Sequence, residues 1–350
     1  MSDLIETTPA TQRSARNWPQ VIIAIGVVLT VCYVAELVLV VILASILLAF
    51  ILAPVVDFLS RFRLPRGLSS LVAVLILITL LYGVTYASYN EVATFAQVMP
   101  KFSERIRARV MSFREQAEAL NPLHSPADDK NSIRIQPTSP VTELLTHGFG
   151  SFSQLVLAVS FVPFLVYFML SWQQHARSAT VMLFPMQHRH TAYVTLGLIS
   201  NMIRSFMVGN LLIGIFMAIV SMVIFGLLQL PFFLLIGAFS GFLSLVPYLG
   251  IVLAMIPPLT VGVGQLASED LLALLVAVAA LHFFALNVLY PKFLGNRLQL
   301  NPLAVTMALL FWGWFWGGVG VVLAIPITAA VKIVFDHIDS LKPWGRWLGE

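Results

Sequence analysis

The chain has 350 residues, of which 59% are hydrophobic and only 10% charged, and its mean hydropathy is +0.91. A soluble domain carries about 25% charged residues, so a chain this apolar needs lipid as part of its solvent. The net charge of +4 is not a nucleic-acid signal, because no basic stripe interleaves with aromatic residues; the excess sits in short loops, where the positive-inside pattern puts it.

In chain order the apolar runs are 21–35, 37–59, 69–89, 149–172, 206–228, 231–263, 271–290 and 303–334, and the sixth is expected to be broken by Pro247, Pro257 and Pro258. All but the first reach the roughly 20 residues that span a hydrocarbon core. A polar segment precedes the first run, and no small-residue cleavage site follows it, so it reads as a retained anchor. Only helices satisfy their own backbone groups in lipid, and the strict alternation of a barrel strand is missing. The expected class is therefore an all-α integral membrane protein of about eight membrane segments. The division is a tail (1–20), N-terminal transmembrane helices (21–89), a polar extramembrane region (90–147), a C-terminal transmembrane region (148–335) and a second tail (336–350).

Loop charges orient the chain. Arg61, Arg63 and Arg66 follow the second run; Arg177, Arg189 and Arg204 follow the fourth; Lys292 and Arg297 follow the seventh. Placed in the cytoplasm, these loops leave Glu269–Asp270 and the polar region outside, with both termini inside. In the polar region seven basic and seven acidic residues cancel. Its first half spaces Phe95, Met99, Phe102, Ile106, Val110, Phe113, Ala117 and Leu120 by threes and fours, one face of an amphipathic helix mildly interrupted by Pro100. That face packs on a neighbouring copy, lies on the membrane surface or folds on itself. The second half, 121–140, reads as a loose loop, and 191–206 as a second amphipathic stretch at the cytoplasmic interface.

The C-terminal region repeats itself. Gly250-Ile-Val-Leu-Ala-Met-Ile-Pro257 resembles Gly320-Val-Val-Leu-Ala-Ile-Pro326 with one residue inserted. Each follows a helix-poor patch, Leu245-Val-Pro-Tyr-Leu-Gly250 and Gly313-Trp-Phe-Trp-Gly-Gly-Val-Gly320. Glycine and proline loosen a helix, and broken backbone persists at membrane depth only where protein or a wet cavity covers it. Paired breaks are the strongest sequence pointer to a transport path. The candidate path residues are Pro247, Gly250, Pro257, Pro258, Asn287, Gly317, Gly318, Gly320 and Pro326. The broken segments either return as re-entrant hairpins or cross twice; the parity of charged loops admits both. The G-x-x-x-G pairs Gly237/Gly241 and Gly313/Gly317 read chiefly as close helix packing.

Ionisable residues in the apolar runs are few. Glu36 is expected at a hairpin corner, Asp57 in a surface pair with Arg61, and His282 deeper, hydrogen-bonded to a neighbouring helix or titrating with a proton flux. These three are the candidate coupling-ion residues. Pro291 is expected to stop one helix, and Asn301 to cap the next with Pro302 at its first position. No phosphate-binding loop and no metal-ligand spacing occurs, and the lone Cys32 forms no intrachain disulfide, so neither cofactor, metal nor catalytic residue is assigned. Ser240 and His282 faintly suggest a serine dyad, but the glycine stands at the wrong offset from the serine.

Taken in order, several pieces resemble the autoinducer-2 exporter (AI-2E) family of permeases. They are Leu52-Ala-Pro54, Pro65-Arg-Gly67, Val246-Pro-Tyr-Leu-Gly250 with Ile256-Pro-Pro258, Asn287-Val-Leu-Tyr-Pro291 with Gly295, Leu300-Asn-Pro302, and Gly317-Gly-Val-Gly320 with Ala324-Ile-Pro326. The resemblance implies a multi-pass, homo-oligomeric inner-membrane transporter with about eight segments and cytoplasmic termini, whose partners are lipid and a small molecule or ion. Some members are tied to autoinducer-2 export, others to cation/proton antiport. The leading expectation is a secondary transporter without ATP. The others are a monovalent cation/proton antiporter using Asp57, Glu36 or His282, and a non-transporting scaffold built on the polar region.

Overall fold

The computed structural model describes residues 18–119, 152–246, 249–263, 265–294 and 300–349. The loose loop expected over 121–140, and Pro247, Gly295 and Asn296, lie outside the described residues. Everything else of regular structure is helical: α1 (Trp18–Val34), α2 (Glu36–Ser60), α3 (Arg66–Ala119), α4 (Phe152–Ser171), α5 (Gln173–Met182), α6 (Arg189–Leu227), α7 (Phe233–Leu243), α8 (Gly250–Gly262), α9 (Ser268–Phe284), α10 (Tyr290–Phe293), α11 (Pro302–His337) and α12 (Lys342–Leu348). Among the described residues five helical stretches are long and apolar enough to cross a membrane, at Glu36–Ser60, Arg66–Phe95, Met186–Leu227, Ser268–Phe293 and Pro302–His337. Length and composition thus give five spans, short of the expected eight. Many large apolar side chains on α1, α3 and α9 face outward, Val34, Tyr86 and Phe283 among them, as lipid solvation permits.

Three expectations about breaks are corrected. Glu36 does not mark a hairpin corner. Ala35 N–H donates to the Val31 carbonyl at 2.8 Å and Leu39 N–H to the Ala35 carbonyl at 3.0 Å, so α1 runs into α2 through a bend. Pro291 does not stop its helix. It lacks the N–H that the Asn287 carbonyl would receive, and the chain absorbs this by widening into a π turn over Ala285–Leu289 before continuing to Phe293. Pro257 and Pro258 do not break the sixth run either, because both lie inside α8; the break falls ahead of them, between Leu243 and Gly250.

Around that break α7 and α8 form a helical hairpin. At 1.5 Å per residue they are about 16 and about 20 Å long, each too short for a core of about 30 Å. They pack on each other, and α7 packs along α6. A Cβ on Gly237 would lie 2.7 Å from the backbone of Met222, and one on Gly241 would overlap the backbone of Ala218, so the two glycines bring α7 onto α6. The base of the hairpin sits at the C-terminal end of α6, where Phe225, Leu230, Ile236, Val261, Leu274 and Val278 share one apolar cluster. Phe95 of α3 closes that end with an edge-on contact to Phe232 at 5.6 Å.

The segment α11 is a second hairpin, although its helical hydrogen bonding is nearly continuous. Trp316 (φ −131°, ψ 22°) and Gly317 (φ 59°, ψ −142°) leave helical geometry. Trp312 Nε1–H donates to Thr328 Oγ1 at 3.3 Å, whereas 16 residues of straight helix would separate them by about 24 Å. The chain ends confirm the reversal. Asn301 N–H donates to the Leu348 carbonyl at 3.0 Å, and Asn301 Nδ2 donates to the carbonyls of Trp347 (2.8 Å) and Gly349 (3.0 Å). The residues before and after α11 therefore meet, and α12 packs against its base. Asn301 also accepts from Ala304 N–H at 2.7 Å, the expected cap.

Candidate functional site

The two hairpins share one support. The first has its base at the C-terminal end of α6, and Leu245 beside its tip meets Gly214 near the middle of that helix. The base of the second lies toward the other end, where Val334 and Phe335 line a cavity with Ile199 and Ile203 of α6. From Ile199 to Phe225 is about 39 Å of helix. The hairpins thus enter from opposite ends of α6. The repeated sequence takes on meaning here, because Gly250 and Gly320 each begin, or nearly begin, the outgoing arm of a hairpin, with Pro258 and Pro326 buried further along those arms.

At the first tip Gly250 is buried, and a Cβ there would overlap the Ser244 carbonyl. Ser244 Oγ donates to the Gly241 carbonyl of its own arm at 2.6 Å, and Ser240 Oγ ties the two arms by donating to the Ala254 carbonyl at 2.8 Å. Beside Gly250 stands His282, which is 7% exposed. Its Nδ1 lies 2.9 Å from the Val278 carbonyl, and since a carbonyl only accepts, Nδ1 carries the hydrogen. Nε2 is buried with no hydrogen-bond partner in the structure. His282 is thus bonded to its own helix, and its ring also neighbours the Gly250 backbone at the start of α8.

At the second tip Gly317 adopts a left-handed φ that suits glycine, and Gly318 beside it is exposed. Gly320 is buried against the other arm, where a Cβ would overlap the Trp312 carbonyl. Phe315 and Trp316 anchor the tip on the bend between α1 and α2. Phe315 meets the Tyr33 ring at 5.9 Å, and Trp316 Nε1–H donates to the Cys32 carbonyl at 3.4 Å.

The remaining sequence candidates stand apart from the tips. Asn287 is exposed in the π turn and donates to the Phe283 carbonyl at 2.7 Å. Glu36 is exposed at the α1–α2 bend. Asp57 pairs with Arg204 at 2.8 Å, not with Arg61, because α2 packs against α6 and brings that guanidinium to it. Pro257 is half-buried in α8.

Sequence reading missed one group. Lys332 is 7% exposed on the outgoing arm of the second hairpin and pairs with Asp336 at 2.6 Å. The signal was available as a lysine inside an apolar run with an acid four residues on, the helical spacing for a pair. Asp336 in turn abuts Gly345 of α12 so closely that a Cβ there would overlap its carboxylate. Between α2, α6 and this arm lies a cavity of about 490 Å³, lined by apolar side chains including Leu47, Ile203 and Pro326.

Comparison with known proteins gives a family model, described as AI-2E family transporter, that matches residues 21–340. The chain is 26% identical over 309 residues to YrrI of Bacillus subtilis (strain 168), covering 85% of this chain and 86% of YrrI. It is 25% identical over 334 residues to YhhT of Escherichia coli (strain K12), with 93% and 92% covered. To the AI-2 transport protein TqsA of the same strain it is 26% identical over 334 residues, with 92% and 93% covered.

Proposed function

The chain belongs to the AI-2E transporter family, and on that premise we propose that it is an ATP-independent secondary transporter exporting small polar solutes, autoinducer-2 or molecules like it, across the inner membrane. The observation that carries this reading is the pair of hairpins set on α6 from opposite ends. With the Arg-rich loops in the cytoplasm, the first hairpin is re-entrant from outside and the second from inside, and the C-terminal tail is cytoplasmic. Two half-crossings put helix ends and free backbone groups at mid-membrane, where they replace a solute's hydration. Gly250, Gly317, Gly318 and Gly320 line the path at the tips. Pro258 and Pro326 shape the arms behind them. Lipid, and further copies of this chain, cover the exposed apolar faces.

The test is efflux of autoinducer-2 from proteoliposomes containing the purified chain and no nucleotide. Efflux above that of protein-free liposomes supports the reading. Efflux equal to theirs, or dependent on added ATP, overturns it.

A further inference from the structure

We propose that the cavity between α2, α6 and the outgoing arm of the second hairpin is a binding site for one acyl chain of a phospholipid. Protein interiors hold few voids larger than a water molecule, yet this one measures about 490 Å³. Leu47 and Phe50 of α2, Ile199 and Ile203 of α6, and the arm from Leu323 to Phe335 form its wall. All three elements belong to helical stretches long and apolar enough to cross a membrane, so lipid is the solvent at hand. Val331 is 37% exposed and marks where the cavity opens sideways to the bilayer, whereas Leu323 is buried behind it.

Chemistry and shape select the occupant. Every side chain of the wall is apolar. The volume matches about 16 waters at about 30 Å³ each, but a water needs two to four polar partners and these side chains present none. A polar solute is excluded on the same ground, which sets this site apart from the path at the hairpin tips. A helix is excluded by width. From Leu323 to Phe335 the arm rises about 18 Å, so the mean cross-section of the cavity is about 27 Å². A helix with its side chains is about 10–12 Å across, or about 80–110 Å², roughly three times too wide or more. The wall is also too small for an interface with a second copy: 13 residues line it, whereas a stable interface uses about 20–30 on each side. A single hydrocarbon chain is thin, long and apolar, and meets all of these limits. Held there, it supplies the dispersion contacts that a gap between helices forfeits, and it sets the distance of the second hairpin from α2 and α6.

The experiment uses the full chain in phosphatidylcholine vesicles that contain a trace of the same lipid with a diazirine in its acyl chain. After irradiation, lipid adducts on residues 327–335 are counted by mass spectrometry and divided by those on the outward-facing residues around Phe283 of α9, which is 70% exposed. The ratio is expected to be several-fold above one, because the wall surrounds a bound chain and an open surface only grazes a passing one. Val331→Trp and Ala330→Phe each fill part of the cavity and should bring the ratio to about one. A wild-type ratio near one, or one that neither substitution lowers, overturns the proposal; where a variant fails to reach the vesicles, the wild-type ratio and the other variant decide. A second arm tests the rival occupant in the chain with Cys32→Ser and Val331→Cys. A short bismaleimide that joins two chains through position 331 places a second copy in the cavity and overturns the lipid site. Modification of single chains only, with the ratio of the first arm high, supports it.

Discussion

The Ser240 hydroxyl donates to the carbonyl of Ala254, the one backbone acceptor in α8 that Pro258 leaves without its helical donor. The serine of one arm thus repairs the defect that a proline makes in the other, and the repair is also the tie between them. Ser240→Ala should lower the stability of the detergent-solubilised protein by about 1 kcal/mol, since it strands a buried carbonyl. In a Pro258→Ala background the same change should cost clearly less, because residue 258 then supplies the missing N–H. Equal losses in the two backgrounds, read by thermal unfolding, would show that Ser240 acts otherwise.

Gly320→Leu should abolish flux while the protein still reaches the membrane, because the side chain must displace the Trp312 backbone and spread the second tip. Pro257→Leu should retain flux, since Pro257 lies within a continuous helix and only half-buried. Paired efflux and membrane-fraction measurements check both.

The contrast between these substitutions shows where the sequence was legible. The Gly313–Gly320 patch marks the break where it occurs, because a positive φ at Gly317 and a contact without room for a Cβ at Gly320 both need glycine. The first break was read partly at Pro257 and Pro258 because proline removes a local donor. The donor's replacement, Ser240, comes from another helix, which a one-dimensional pattern does not reveal. Pro291 misled in the same way, its lost bond being absorbed by a π turn. Asp57 was assigned to the charge nearest in sequence, whereas packing of α2 on α6 offers it Arg204, 147 positions away.

Lys332→Met should destabilise the chain by about 1–3 kcal/mol by leaving Asp336 as an unpaired, partly buried charge; the acid's 32% side-chain exposure keeps the cost toward the low end. Adding Asp336→Leu should recover most of the loss, as measured by melting temperature in detergent. A double variant as unstable as the sum of the two single changes would rule out a pair acting as a unit.

Breaking the Asp57–Arg204 pair should matter little. Both side chains are about two-fifths exposed, so the coupling from a double-mutant cycle of Asp57→Asn and Arg204→Gln should be below about 1 kcal/mol, and flux should be unchanged. A large loss of flux at normal expression would give Asp57 the ion-coupling role that its surface position argues against.

Asn301→Ala should remove a helix cap worth about 1 kcal/mol together with the bonds to the Trp347 and Gly349 carbonyls. Faster hydrogen exchange at 342–348, without change in α9, is the expected signature.

Because Gly237 and Gly241 lie hard against the main chain of α6, the first hairpin has no room to slide along its neighbour. It and the C-terminal half of α6, which carries Ala218 and Met222, travel as a single rigid body. Any alternation of access must then come either from rocking of that whole block or from flexing confined to the few residues of its tip. A disulfide or spin-label pair placed across α6 and α7 would accordingly hold a constant distance through the entire working cycle.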